Sequence, residues 1–146
     1  MAADACLSAG KWLSMGMDDL HRGAYNDALA LLDKAVAGAP GCARAYYGRG
    51  LALDKTGRHD RAIEEYSLAI REDPGDGAAY YRRGFAYGRK GHFDRETEDY
   101  SKATTLTPDI ERSARGMEQW EDRGIQKTLP GRKASSKAGN ENCRTA

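Results

Sequence analysis

Three histidines (His21, His59, His92), three cysteines (Cys6, Cys42, Cys143) and two acidic clusters (Glu64-Glu65; Glu96, Glu98 and Asp99) are the residues of this 146-residue chain that invite a search for chemistry. Catalysis needs a constellation: a nucleophile beside a base, a glycine-rich phosphate loop, an HExxH helix or a dinucleotide fingerprint. None of these patterns occurs. The histidines fall at or beside turns between helical segments, where polar side chains are ordinarily solvated. The acids have basic neighbours, as solvated helix faces do. The cysteines are far apart, with no CxxC and no histidine at ligand spacing, so the sequence predicts free thiols rather than a disulfide framework or metal site. Free thiols suit a reducing compartment, and the expected location is cytoplasmic. The reading is of a non-enzymatic chain without cofactor or metal.

Composition narrows the elements that could position a site. Hydrophobic residues make up 40% of the chain, but 23 of them are Ala and only 18 are Leu, Ile, Val or Phe. So few large aliphatic residues ordinarily signal disorder. The companion sign, a large net charge, is missing: 23 Lys and Arg face 22 Asp and Glu. Packing must therefore rely on small residues. Apolar runs are too short to span a bilayer, and the N-terminus lacks the basic start of a signal peptide, so no membrane association is expected.

Sliding the chain against itself by 34 residues aligns Trp12, Tyr46 and Tyr80; Gly16, Gly50 and Gly84; Gly23, Gly57 and Gly91; Tyr25, His59 and Phe93; Leu32, Tyr66 and Tyr100; Ala35, Ala69 and Ala103; and Pro40, Pro74 and Pro108. Within the second copy, Tyr46, Gly50 and Leu53 recur at helical spacing, Thr56-Gly57 interrupts, and Ala62, Tyr66, Ala69 and Ile70 resume the pattern. Each copy is thus two helices joined by a tight glycine turn and closed by a proline. Gly50 and Ala62 stand where the helices approach closely, and Tyr46 and Tyr66 supply the bulk.

This pattern resembles the tetratricopeptide repeat family over residues 9 to 110. The resemblance implies an all-α fold of helix-turn-helix repeats stacked as a short right-handed superhelical solenoid with a concave inner face. The organisation read from it is an N-terminal extension (1–8), repeats at 9–42, 43–76 and 77–110, a C-terminal capping helix (111–126) and a disordered basic tail (127–146). Ile110, Ala114, Met117 and Trp120 form the capping stripe, with Thr107-Pro108 as its start. The tail carries net charge +4 against −3 for the rest. Its cations are spread and lack aromatic partners, so nucleic-acid binding is disfavoured but kept as the alternative.

One pair of columns covaries inside the chain: Met15 with Leu31, Arg49 with Glu65, and Arg83 with Asp99. Apolar meets apolar and base meets acid, which predicts contacts between the two helices of each repeat. Two departures stand out. Glu96 replaces the alanine of Ala28 and Ala62, and is expected to be drift in a terminal repeat, its carboxylate reaching Arg83, Arg112 or Arg115. Asp19 stands where Leu53 and Tyr87 do, leaving the first helix less well buried.

In the family, the first helix of each repeat lines the groove that holds a ligand. The matching outward positions are Leu13, Met17 and Leu20 in repeat 1; Tyr47, Leu51, Asp54 and Lys55 in repeat 2; Tyr81, Arg82, Phe85 and Arg89 in repeat 3; with Arg44 at the entry. An apolar and aromatic strip beside Arg44, Lys55, Arg82 and Arg89 suits a protein segment carrying acidic groups. Tyr47 and Tyr81 serve equally as wedges between helices. The family subset that grips chaperone C-terminal carboxylates uses Lys, Asn, Asn, Lys and Arg; here the matching positions hold Leu13, Met17, Gly48, Ala78 and Arg82, which disfavours Hsp70 and Hsp90 tails. The expected function is protein binding as adaptor, assembly factor or small chaperone, with a self-assembling homo-oligomeric scaffold as a further alternative.

Overall fold

The computed structural model describes residues 5–110. After a short 3-10 turn at Leu7–Ala9, six helices follow: α1 (Gly10–Arg22), α2 (Tyr25–Gly38), α3 (Ala43–Lys55), α4 (His59–Glu72), α5 (Gly77–Arg89) and α6 (Phe93–Leu106). No strand occurs among the described residues, and the order is an all-α helical repeat. The expected capping helix and basic tail lie outside the described residues.

Each pair reverses in the same way. Gly23, Gly57 and Gly91 have φ of 80°, 83° and 82°, a left-handed conformation that a side chain would strain. The residue after each glycine donates its N–H to the carbonyl five residues before it: Ala24 to Asp19, Arg58 to Leu53 and His92 to Tyr87, at 2.8 to 2.9 Å. This is the Schellman ending of a helix, made three times by one sequence column.

Close approach within each pair follows from the second glycine column. A Cβ on Gly50 would lie 2.7 Å from the Tyr66 ring, on Gly16 2.8 Å from Leu32, and on Gly84 3.1 Å from Asp99 and Tyr100. Tyr66 and Leu32 are fully buried beneath these glycines, with Ala28, Ala35, Ala62 and Ala69 completing the interior. The low count of large aliphatics is therefore compatible with a dense core, because helix backbones rather than side chains fill the space.

The covarying columns meet as expected in repeats 2 and 3. Arg49 Nη2 donates to Glu65 Oε1 at 2.6 Å, and Arg83 grips Asp99 in a fork, Nε to Oδ2 and Nη2 to Oδ1, both at 2.8 Å. Each arginine also reaches back one repeat. Arg49 Nη1 lies 3.5 Å from Asp33, and Arg83 Nη1 donates to Ser67 Oγ at 3.1 Å. Asp33 and Ser67 occupy one column, so one guanidinium fastens its own pair and the junction before it. Hydrogen bonding to Asp99, opposed by burial, holds Arg83 above the ordinary guanidinium pKa.

Two expectations need correction. Cys6 and Cys42 are not free thiols: they form a disulfide, with Cα atoms 4.8 Å apart. In the 34-residue register Cys6 matches Pro40 and Pro74, and Cys42 matches Ser8 and Asp76. Cys42 therefore sits on the turn between repeats 1 and 2 and Cys6 at the equivalent place just before repeat 1, and stacking brings these two segments side by side. Glu96, in turn, does not reach Arg83, whose guanidinium is held by Asp99 and Ser67; Arg112 and Arg115 lie outside the described residues. Its carboxylate lies over Gly88, where a Cβ would come within 2.4 Å of Oε1. Repeats 1 and 2 carry Leu20 and Asp54 at the Gly88 position. The larger residue on one helix is answered by a smaller one on the other. Asp19 is half-buried and paired with Arg22 one turn on.

Three stability measurements test this description. In denaturant melts, Asp99→Ala should cost on the order of 3 kcal/mol by stranding a half-buried guanidinium, and a double-mutant cycle with Arg83→Ala should show strong coupling. Gly50→Ala should destabilise by about 1–3 kcal/mol, because the buried Tyr66 ring has no room to retreat. Asp76, whose side chain caps α5 by accepting from the Ala78 N–H at 3.1 Å, has its pKa raised, chiefly by burial. A raised folded-state pKa means that its contribution is full below the unfolded value and lost as pH rises. Asp76→Asn keeps a cap without that ionisation cost. The variant should gain in melting temperature over wild type at pH 7, and the gain should shrink as pH falls to 3.

Candidate functional site

Curvature identifies the inner face. Within residues 5–110, first helices touch one another, α1 against α3 and α3 against α5, while successive second helices make at most marginal contact. The first helices therefore lie on the shorter, inner side of the stack. A first helix consequently touches its own partner, the preceding second helix and its first-helix neighbours. Only a narrow stripe is left to face the groove.

That geometry divides the expected binding residues. Leu13, Leu20 and Leu51 belong to the core of the first repeat and its junction with the second, not to an outward face. Asp54 is buried and paired with His59, whose Nδ1 lies 2.6 Å from Asp54 Oδ1 across the glycine turn. Arg82 is also buried, with 4% of its surface exposed. The expectation that these five residues face outward is corrected: three-sided packing consumes more of the first-helix surface than a simple inside-outside division allows. Arg44, Lys55 and Arg89 are exposed, and Met17, Tyr47, Tyr81 and Phe85 are half-buried.

The half-buried aromatics are held firmly. Tyr47 packs against Tyr66 with ring centroids 5.9 Å apart, and Tyr81 against Tyr100 at 5.0 Å. Arg89 lies over the Phe85 ring at 5.0 Å. Such rings present area with little rotamer entropy left to lose, and the cation beside Phe85 keeps its charge available. Met17 reaches toward the next repeat, its sulfur 3.2 Å from where a Gly48 Cβ would stand. The result is a set of packed rings on α3 and α5, with the Arg89 cation against Phe85.

The residues first considered for catalysis are dispersed. His59 is occupied by Asp54, His92 stands edge-on to Tyr87 at 6.2 Å, and Glu65 and Asp99 are spent on arginines. No cluster of three or more His, Cys, Asp or Glu able to hold a metal occurs among the described residues. A cleft of about 690 Å³ lies on the opposite side, between α4 and α6, floored by Tyr80 and Arg83 with Glu98 and Lys102 on its wall. Its arginine is neutralised by Asp99. No helix among the described residues is long and apolar enough to cross a membrane.

Sequence reasoning missed the Asp54–His59 pair and the Cys6–Cys42 bond. The signal for both was register: residues five apart across a glycine turn, and residues at equivalent places just before repeats 1 and 2.

Comparison with known proteins agrees with this architecture. Family models described as tetratricopeptide repeat match residues 13–77 and 77–110. A crystal structure of MamA is 32% identical, with a TM-score of 0.66 over 72% of this chain and 61% of that one. A second MamA structure is likewise 32% identical, with a TM-score of 0.64 over 75% and 59%. This chain thus spans about six tenths of the length of those relatives. The second TPR of Spaghetti (RPAP3), bound to an HSP90 peptide, shares the fold at 21% identity, with a TM-score of 0.67 over 72% of this chain and 96% of that one. No match was found among curated proteins. The repeated glycine turns, paired helices and first-helix inner face, together with these matches, place the chain in the tetratricopeptide repeat family, whose fold serves protein–protein interaction.

Proposed function

We propose that the inner face binds a segment of a partner protein, an extended peptide or amphipathic helix bearing acidic groups, and that the chain acts as a non-catalytic adaptor, assembly factor or small chaperone. The observation that carries this reading is the set of packed rings of Tyr47, Tyr81 and Phe85 with exposed Arg44, Lys55 and Arg89 on the same helices. Aromatic rings fixed by packing supply contact area, and exposed guanidinium groups select carboxylates in two-point geometry. The repeats are read as 9–42, 43–76 and 77–110.

The likeness to a repeat domain bound to an HSP90 peptide does not extend to its ligand here. Leu13 is in the core, and the methyls of Leu32 lie 3.1 Å from where a Gly48 Cβ would stand, so an asparagine could not be accommodated at that position without repacking. The cysteines lend no support to a cytoplasmic location, because Cys6 and Cys42 are two halves of a disulfide.

The test is affinity capture from native lysate with wild type and with an Arg44→Glu/Arg89→Glu variant that retains the wild-type melting temperature. A partner held by wild type should bind the variant at least about tenfold more weakly, a loss of about 1.4 kcal/mol. A C-terminal chaperone tail peptide titrated in parallel should show no measurable affinity. Equal capture by both proteins would place the binding surface elsewhere.

A further inference from the structure

The start of α1 is built without the usual means of ending a helix. Its N-cap position is Ala9, which offers no side-chain hydrogen bond, and its first turn holds no acidic residue to favour the helix dipole. Among the described helices α5 alone has a side-chain cap, from Asp76, and α3 shares with α1 the lack of both cap and acidic first turn. The preceding 3-10 turn takes on this work: the Ala9 N–H donates to the Cys6 carbonyl at 3.1 Å, and Gly10 to Leu7. What holds that turn in place is therefore what holds the beginning of the first repeat.

Ala9 in the core, the edge of the second helix and one covalent bond do so. Leu7 is 76% exposed, and Ser8 Oγ donates to the Gly38 carbonyl at 2.9 Å in an exposed hydrogen bond. Ala9 is buried but small. The disulfide from Cys6 to Cys42, 36 residues on, ties the turn across the whole first repeat to the entrance of α3.

The two sulfur-bearing residues are unequally placed. Cys42 is fully buried, whereas Cys6 is half-buried at the edge. We propose that the Cys6–Cys42 bond is a thiol-operated latch: a low-molecular-mass dithiol opens it by attack at Cys6, releasing residues 5–9 and allowing α1 to fray from its first turn. One thiolate of the dithiol bonds to Cys6 Sγ as the S–S bond breaks, and Cys42 departs as thiolate and takes up a proton. The second thiolate then displaces Cys6, so the reagent leaves as its cyclic disulfide and the protein holds two thiols. Closure is the reverse exchange, with a low-molecular-mass disulfide such as glutathione disulfide accepting the two electrons. Release exposes Cys42 and loosens the helix that carries Met17, giving the first repeat a state that the second and third do not share.

Hydrogen exchange on the full chain, oxidised with glutathione disulfide or reduced with dithiothreitol, tests the latch. Thiol titration in denaturant should give one thiol, from Cys143, in the oxidised protein and three in the reduced. Amides of residues 9–17 should exchange at least tenfold faster on reduction, with α4 to α6 unchanged. Cys42→Ser should show the fast pattern without reductant and no response to it. Because that substitution falls at a buried site, Cys6→Ser provides the same loss of tether from the half-buried end, and circular dichroism reports whether either variant keeps its helices. Three thiols after oxidation, or equal exchange of residues 9–17 in both states, would overturn the proposal.

Discussion

The separation between the two helices of a repeat is the constraint from which the remaining structure follows. At Gly50 the backbone of α3 comes so near to the Tyr66 ring that a methyl group has no place, and Gly16 and Gly84 repeat the approach against Leu32 and Tyr100. Backbone then takes space that branched aliphatics occupy in other cores. The alanine columns become useful for the same reason. A tight pair is also a narrow unit, and narrow units stack with their first helices in mutual contact. The inner face, its curvature and its scarcity of open surface are consequences of that one distance.

Within this frame, charge is used where repeats join. Arg49 and Arg83 each couple their own pair and the junction behind it, and both engage a carboxylate that is almost wholly buried. The two cases are unequal. Arg83 matches both oxygens of Asp99, whereas Arg49 divides itself between Glu65 and Asp33 and leaves Glu65 Oε2 without a hydrogen bond among the described residues. The more complete pairing is in the third repeat. The first has Met15 and Leu31 in these columns and no ionic fastening there; its extra connection is covalent instead, through Cys6 and Cys42.

How much could be read from the residues alone depended on whether a feature repeats. The helix pairs, the glycine turns and the arginine–acid contacts were legible because three copies in one chain act as an internal comparison. Arg49–Glu65 and Arg83–Asp99 could be paired from covariation before any geometry was known. The disulfide occurs once, so no column announced it, and distance along the chain concealed that the segments just before repeats 1 and 2 are neighbours in space. The inner face was legible in outline, through Tyr47, Tyr81, Phe85 and the exposed cations. Leu13, Leu51 and Arg82 were misplaced because periodicity gives the direction of a side chain relative to its helix, not how many neighbours that helix has.

Gly88 and Glu96 show what such packing does to the repeats as inheritable units. The carboxylate of Glu96 occupies the volume that a side chain at position 88 would need, while the equivalent pairs, Leu20 with Ala28 and Asp54 with Ala62, put the bulk on the opposite helix. The two arrangements are mirror solutions to one filling problem, and a hybrid of them has either a displaced carboxylate or a hole. A helix from the third repeat would take its counterpart's place in the second only with the Glu96 side chain swung aside or with space left unfilled, even though the turns and glycine columns match. The three units are alike in turns and glycines, but this local swap of large and small makes the last one the best complement of itself.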